Sequence, residues 1–203
     1  METKVDSCNL ERIKRRCGFD DGLCLSSNGK AGGIGFWWRD VGISTISYSV
    51  HHFAIDVLNS VGVPIWRAIG VYGWPKTENK HKTWEMMINL HSECNIPCIM
   101  FGDFKKIVSM NEKDGGAVRR ERLMDAFREA IDMCGLRDLG FSGNIFTWQR
   151  GTTSDAMVRE RLDRFLAEDT WCNIFPNFIV SHLPMQNSGH APILQDANKV
   201  FER

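Results

Sequence analysis

The sequence has no surplus of charge. Its 25 lysine and arginine residues stand against 25 aspartate and glutamate residues. This balance argues against a protein that wraps DNA in a global basic field, and any nucleic-acid partner must be held by a local patch. No run approaches the roughly 18 apolar residues of a bilayer span. Met1 to Cys17 is polar and charged, without the apolar stretch of an export signal. The expectation is an intracellular protein that neither spans a membrane nor is secreted. Seven cysteines, at positions 8, 17, 24, 94, 98, 134 and 172, form no CxxC pair and no Cys/His zinc spacing, and read as reduced thiols filling helix and strand faces. Gly32-Gly33-Ile34-Gly35 lacks both the spacing and the following helix of a dinucleotide loop. There is no internal repeat and no linker.

What is present is an ordinary globular composition: 203 residues, 43% hydrophobic and 25% charged. A chain of this length buries enough surface to fold without disulfides or metal, so a single domain over 1–195 with a tail over 196–203 is expected. Leu10, Ile13 and Cys17 mark a first helix capped by Ser7 or Asn9 and stopped by Gly18. Ile46, Tyr48 and Val50, then Phe53, Ile55 and Val57, alternate at period two as antiparallel neighbours, and Trp66 to Tyr72 reads as a further strand. Thr77 is placed as the cap of a helix carrying Trp84, Met87, Ile88 and His91, which Pro97 prevents from continuing. Cys98 to Phe101 is a short apolar strand. Leu123, Phe127, Ile131 and Cys134 stripe a helix stopped by Gly135. Later strands are expected at Phe146 to Trp148, Arg161 to Leu166 and Phe178 to Leu183. The order suggests mixed sheets with outer helices in an α/β unit.

Three features could carry chemistry. The strand ending in Gly102-Asp103 delivers a carboxylate to a sheet edge, although an aspartate there is often only a turn residue. Val71-Tyr72-Gly73-Trp74-Pro75 ends a strand in a tyrosine, which is also the pattern of a half-buried aromatic beside a turn. In Arg159 to Arg164, strand alternation places Arg161, Asp163 and Phe165 on one face and Leu162 and Arg164 on the other. Asp163 could then orient a histidine, and Ser188-Gly189-His190 supplies one in a turn near the end of the chain.

Taken in order, Glu-Thr-Lys at 2–4, Tyr72-Gly73-Trp74-Pro75, Gly102-Asp103-Phe104, Gly115-Gly116, Phe146-Thr147-Trp148, Arg161-Leu162-Asp163-Arg164 and Ser188-Gly189-His190 resemble the endonuclease/exonuclease/phosphatase superfamily, the DNase I-like fold. More closely, the sequence is similar to the endonuclease domain of plant LINE-type (non-LTR) retrotransposons, which precedes a reverse transcriptase. The resemblance runs from Glu2 to about Leu194. It implies a four-layer sandwich of two packed, mostly antiparallel mixed sheets flanked by helices. It also implies a divalent-metal-dependent hydrolase, using Mg²⁺ or Mn²⁺, that nicks DNA. Glu2 would bind the metal and Tyr72 would contact the scissile phosphate. Asp103 would align or deprotonate the attacking water. His190, held by Asp163, would stabilise the developing phosphorane charge. Lys105, Arg161 and Trp148 would meet the substrate.

Three departures accompany the resemblance. The family's first strand, which ends in an asparagine, is expected to be lacking here. Lys105 stands where the family has the asparagine of Gly-Asp-Phe-Asn, and at about 4 Å an ammonium would attract Asp103 by roughly 4 kcal/mol at an effective dielectric of 20. Gly189 replaces the aspartate of Ser-Asp-His. The expectation is therefore a degenerate, retrotransposon-derived endonuclease-like monomer with little activity, located in the nucleus. The alternatives are an active Mg-dependent endonuclease and a noncatalytic nucleic-acid-binding module, in which Arg119, Arg120, Arg122, Arg150, Arg159, Arg161 and Arg164 would line a phosphate-contacting surface.

Overall fold

The computed structural model describes residues 5–197, apart from 29–30, 152, 154–155 and 187. Helix α1 (Ser7–Arg16) precedes the hairpin β1 (Asp21–Asn28) and β2 (Ala31–Trp38). Strands β3 (Gly42–Tyr48), β4 (His52–Leu58) and β5 (Pro64–Tyr72) follow, then α2 (His81–Ser92) and β6 (Cys98–Asp103). The remainder holds β7 (Lys113–Asp114), α3 (Glu121–Met133), β8 (Arg137–Asp138), β9 (Ser142–Gly143), β10 (Trp148–Arg150), β11 (Val158–Glu160), β12 (Asp163–Ala167), α4 (Asp169–Ile174), β13 (Ile179–His182) and β14 (Ile193–Asp196).

The central sheet has six strands in the order β3-β4-β5-β6-β12-β8. Every pairing in it is antiparallel except β5 with β6, which α2 connects. Period-two alternation sends its side chains to two different cores. On one face Ala54, Ile69, Val71, Met100 and Leu166 pack against Trp84 and Met87 of α2 and Phe127, Ala130 and Ile131 of α3. On the other, Phe53, Ile55, Ala68, Tyr72, Ile99 and Phe165 meet Ile34 of β2, Val180 of β13 and Trp171 of α4. The layer opposing this second face consists of the β1–β2 hairpin and a separate sheet ordered β14-β13-β9. Outside the hairpin lies α1, with Leu10 buried. Helices, sheet, sheet and helix make the four layers that the sequence leads one to expect.

Two glycines fix close approaches. Gly70 lies under the ring of Phe53, where an added Cβ would come within 2.0 Å of the ring. Gly102 has φ +135°, and a Cβ there would meet the Val71 carbonyl oxygen at 2.2 Å.

Several expectations are corrected. The cap of α1 is Asp6, whose carboxylate accepts from the Asn9 N–H at 2.9 Å, and not Ser7 or Asn9. Thr77 opens only a single 3₁₀ turn (Thr77–Asn79), and α2 begins at His81 without a side-chain cap. The expected strand over 161–166 is interrupted: Arg161 and Leu162 lie between β11, which belongs to a small β10-β11-β7 sheet, and β12 of the central sheet. The last strand extends to Asp196, one residue into the expected tail.

Candidate active site

Register and alternation bring the carboxylates together. Tyr72 ends β5 and pairs with Asp103 at the end of β6, and Asp103 pairs with Asp163 at the start of β12. All three occupy one rim of the central sheet and point to the face that meets the second layer. Asp103 and Asp163 are 2% and 0% exposed. The His190 segment is zipped to the β10 region: Gln149 N–H donates to Gly189 O, Ala191 N–H donates to Thr147 O, and Trp148 bridges His190. This places His190 Nδ1 2.8 Å from Asp163 Oδ2 and its Nε2 3.6 Å from Asp103 Oδ2.

Thr147, the centre of Phe146-Thr147-Trp148, is fully buried. Its hydroxyl oxygen accepts from the backbone N–H of both Leu162 and Asp163, at 2.9 Å each. It thereby fixes the point where the chain enters β12 and aims Asp163. Burial pulls the His190 imidazole down, but the hydrogen bond it donates to Asp163 and the charges of Asp163 and Asp103 outweigh this and hold the pKa above its usual value. Burial also pushes the Asp163 carboxyl up, against the His190 hydrogen bond.

Lys105 closes the site. Its Nζ lies 2.5 Å from Asp103 Oδ2, and its backbone N–H donates to Asp103 Oδ1 at 3.0 Å. The same ammonium sits 4.8 Å above the Tyr72 ring. Lys105 also adopts φ +57°, a left-handed conformation that asparagine tolerates far better than lysine. The ligand atoms of Asp103, Asp163 and His190 lie within 4.8 Å of one another, a donor set suited to a small divalent cation. That set does not accommodate an ion while Lys105 holds this rotamer, because the cation position on Asp103 is taken by the chain's own ammonium.

Of the other residues singled out from the sequence, Trp148 lies beside His190, and Glu2 lies outside the described residues. Arg161 is not at the site. It is 5% exposed, with Nη1 on Glu112 Oε1 (2.9 Å) and Nη2 on Asp138 Oδ1 (2.8 Å). Arg164, expected on the opposite face from Arg161, joins it on the same two carboxylates and is 0% exposed, so neither belongs to a phosphate-contacting surface. Asp138 is pushed up by burial, but the Arg161 hydrogen bond and the charge of Arg164 outweigh this and hold it below the usual carboxylate range.

No family model matches this chain, and no curated protein matches it by sequence. Its fold is nonetheless shared with solved structures of very different sequence. The endonuclease domain of TRAS1, a telomere-specific non-LTR retrotransposon, superposes with a TM-score of 0.61 at 13% identity, over 97% of this chain and 94% of that one. The AP endonuclease LMAP from Leishmania major gives 0.67 at 12% identity, over 95% and 75%. A 3′ phosphatase from Neisseria, bound to a product DNA hairpin, gives 0.59 at 17%, over 98% and 87%. No helix among the described residues is long and apolar enough to cross a membrane.

Proposed function

We propose that this chain is a degenerate, retrotransposon-derived endonuclease domain whose phosphodiester-cleaving site is held shut by Lys105. The observation that carries the reading is the 2.5 Å contact between Lys105 Nζ and Asp103 Oδ2, inside an otherwise complete Asp103–His190–Asp163 array. In a working site Asp103 aligns water against a phosphate, and His190, positioned by Asp163, donates to the charge that develops on it. Tyr72, at the same rim, contacts the phosphate. With an ammonium seated on Asp103, that carboxylate engages neither water nor metal. The reading makes DNA the partner, a monomer the working unit, the nucleus its location, and Mg²⁺ or Mn²⁺, held with the help of Glu2, the cofactor of any turnover.

The test is nicking of supercoiled plasmid, with Mg²⁺ or Mn²⁺ and with chelator, by the unaltered chain and by a Lys105→Asn/Gly189→Asp variant. At Gly189 an added Cβ would lie 3.1 Å from Gln149 O, a tight contact that the Gln149 backbone must ease by a few tenths of an ångström, so circular dichroism on the same preparation checks that the variant is folded. The unaltered chain is expected to be nearly silent and the variant to nick only with metal. His190→Ala on the variant background should abolish this. Chelator-sensitive nicking by the unaltered chain at the variant's rate would make it an active endonuclease. A folded but silent variant would show that Lys105 is not what keeps the site inactive.

A further inference from the structure

Beside the Asp103–His190 array lies a second concentration of charge that the proposed chemistry does not use. Lys113 Nζ donates to Glu160 Oε1 at 2.8 Å, and Arg119 grips the same carboxylate through Nε (2.9 Å) and Nη2 (2.6 Å). Lys80 and Lys106 are buried, and both interact electrostatically with Arg119 and Glu160. Two cations thus grip one carboxylate, and two buried ammonium groups lie within its field. Lys80 Nζ at least donates to the Lys105 carbonyl. Lys106 Nζ is buried without a hydrogen-bond partner, and Lys106 is only 2% exposed. An ammonium left in that state is strongly unfavourable unless an anion comes to it.

A cleft of about 340 Å³ opens over this group, lined by Lys113, Gly116, Arg119, Trp148, Arg150 and Glu160. Gly116 has φ +63°, and a Cβ there would press on the Val158 side chain at 2.9 Å, so the wall stays bare backbone. Trp148 bridges His190, so the cleft adjoins the array at the sheet rim.

We propose that this cleft is a phosphodiester subsite, in which Lys113, Arg119 and Arg150 hold a backbone phosphate of the nucleic-acid strand whose neighbouring phosphate faces His190. The proposal rests on the nuclease reading of the adjoining site and names where its substrate strand runs. Lys80 and Lys106 act from beneath through their field, and Glu160 keeps Lys113 and Arg119 in position while neutralising only one of the four charges. In a chain of zero net charge, such a local surplus is what a polyanion can find. Phosphate is the matched anion because Arg119 offers a planar fork and Lys113 a point charge on the same wall.

The test is fluorescence anisotropy with a fluorescein-labelled single-stranded DNA of about 12 nucleotides and an RNA of the same sequence, without divalent metal, so that no turnover is required. For each phosphate contact, the slope of log affinity against log KCl is about −0.7 on a single strand. Arg119→Ala and Arg150→Ala should each weaken binding about 5- to 10-fold near 100 mM KCl and flatten the slope by about that amount. Lys106→Met should weaken binding while raising the thermal midpoint, a combination that loss of folding cannot produce. DNA and RNA should bind within a few-fold of each other, because the contacts are to phosphate. Folded variants that leave affinity and slope unchanged would overturn the proposal, as would a tenfold preference for either nucleic acid. If plasmid nicking stays silent in the restored protein while these variants still lose binding, the nuclease reading fails and the subsite stands. Nicking without any effect of the variants on binding removes the subsite alone.

Discussion

Replacing Lys106 by methionine should stabilise this protein, although it removes a charged residue from the edge of the proposed subsite. The side chain is 2% exposed and its Nζ has no partner. Burial first, then the neighbouring charges of Lys80 and Arg119, push its pKa down from the usual 10.5 to about 8. At about 1.4 kcal/mol per pH unit, that displacement is a penalty of about 3 kcal/mol on the folded state wherever the group is charged in both states. The sign follows from which state binds the proton. Below about pH 8 both states are protonated and the penalty is complete. Between about 8 and 10.5 the folded protein releases the proton and the unfolded chain keeps it, so stability rises with pH. Methionine fills the same space without charge. For a chain of this size, 1 kcal/mol moves the thermal midpoint by about 2–4 °C, so Lys106→Met should melt about 6–12 °C higher at pH 7. Its stability should also climb less between pH 8 and 10, with Lys80, which is likewise pushed down to about 8, supplying the remaining slope. Melts followed by circular dichroism at pH 7 and 10 measure both quantities. A midpoint at pH 7 equal to or below that of the unaltered protein would refute the reasoning.

Other outcomes follow from the same geometry. Thr147→Val leaves the buried N–H groups of Leu162 and Asp163 without their acceptor, and should cost about 3 kcal/mol in urea denaturation; a loss below about 1 kcal/mol would mean those groups find other partners. The raised pKa of His190 means that the pair with Asp163 stabilises the fold fully below the unfolded histidine value near 6.5, and that this contribution is lost as pH rises through the folded value. Denaturation between pH 6 and 8 should show that decline in the unaltered protein and not in His190→Gln. Arg164→Met leaves Glu112 and Asp138 short of a buried cation and should cost about 3–5 kcal/mol, unless measured unfolding shows Arg161 sufficing alone.

Asp103 and His190 stood out as candidates by local pattern, while the roles assigned to them and to Asp163 came from the resemblance. Gly102-Asp103 ends an apolar strand, and His190 sits in a turn before Pro192. The stripe of α3 was legible for the same reason, although Met124 is buried more completely than Leu123. Arg161 was misplaced because alternation assumes an unbroken strand. The chain instead leaves one sheet at Glu160 and enters another at Asp163, and the two residues between them reset the phase. The charge group of Lys80, Lys106, Lys113, Arg119 and Glu160 was invisible for a different reason. Its members come from separate elements, and no local periodicity reports that an ammonium after a strand will be enclosed. The left-handed backbone of Lys105 could have been suspected, since the residue follows a strand end where the resemblance places an asparagine.

The parallel pairing of β5 with β6, joined through α2, bears on the order in which the molecule is assembled. Tyr72, Asp103, Asp163 and His190 come from distant points of the chain and meet through pairings that span long loops. Contacts of such sequence separation carry the largest loop-closure entropy and form late. The β3–β4–β5 meander can nucleate locally, whereas the imidazole joins its carboxylates only when the final strands dock. Pulsed hydrogen exchange during refolding is therefore expected to find the rim that carries Asp103, Asp163 and His190 protected later than the β3–β4–β5 meander.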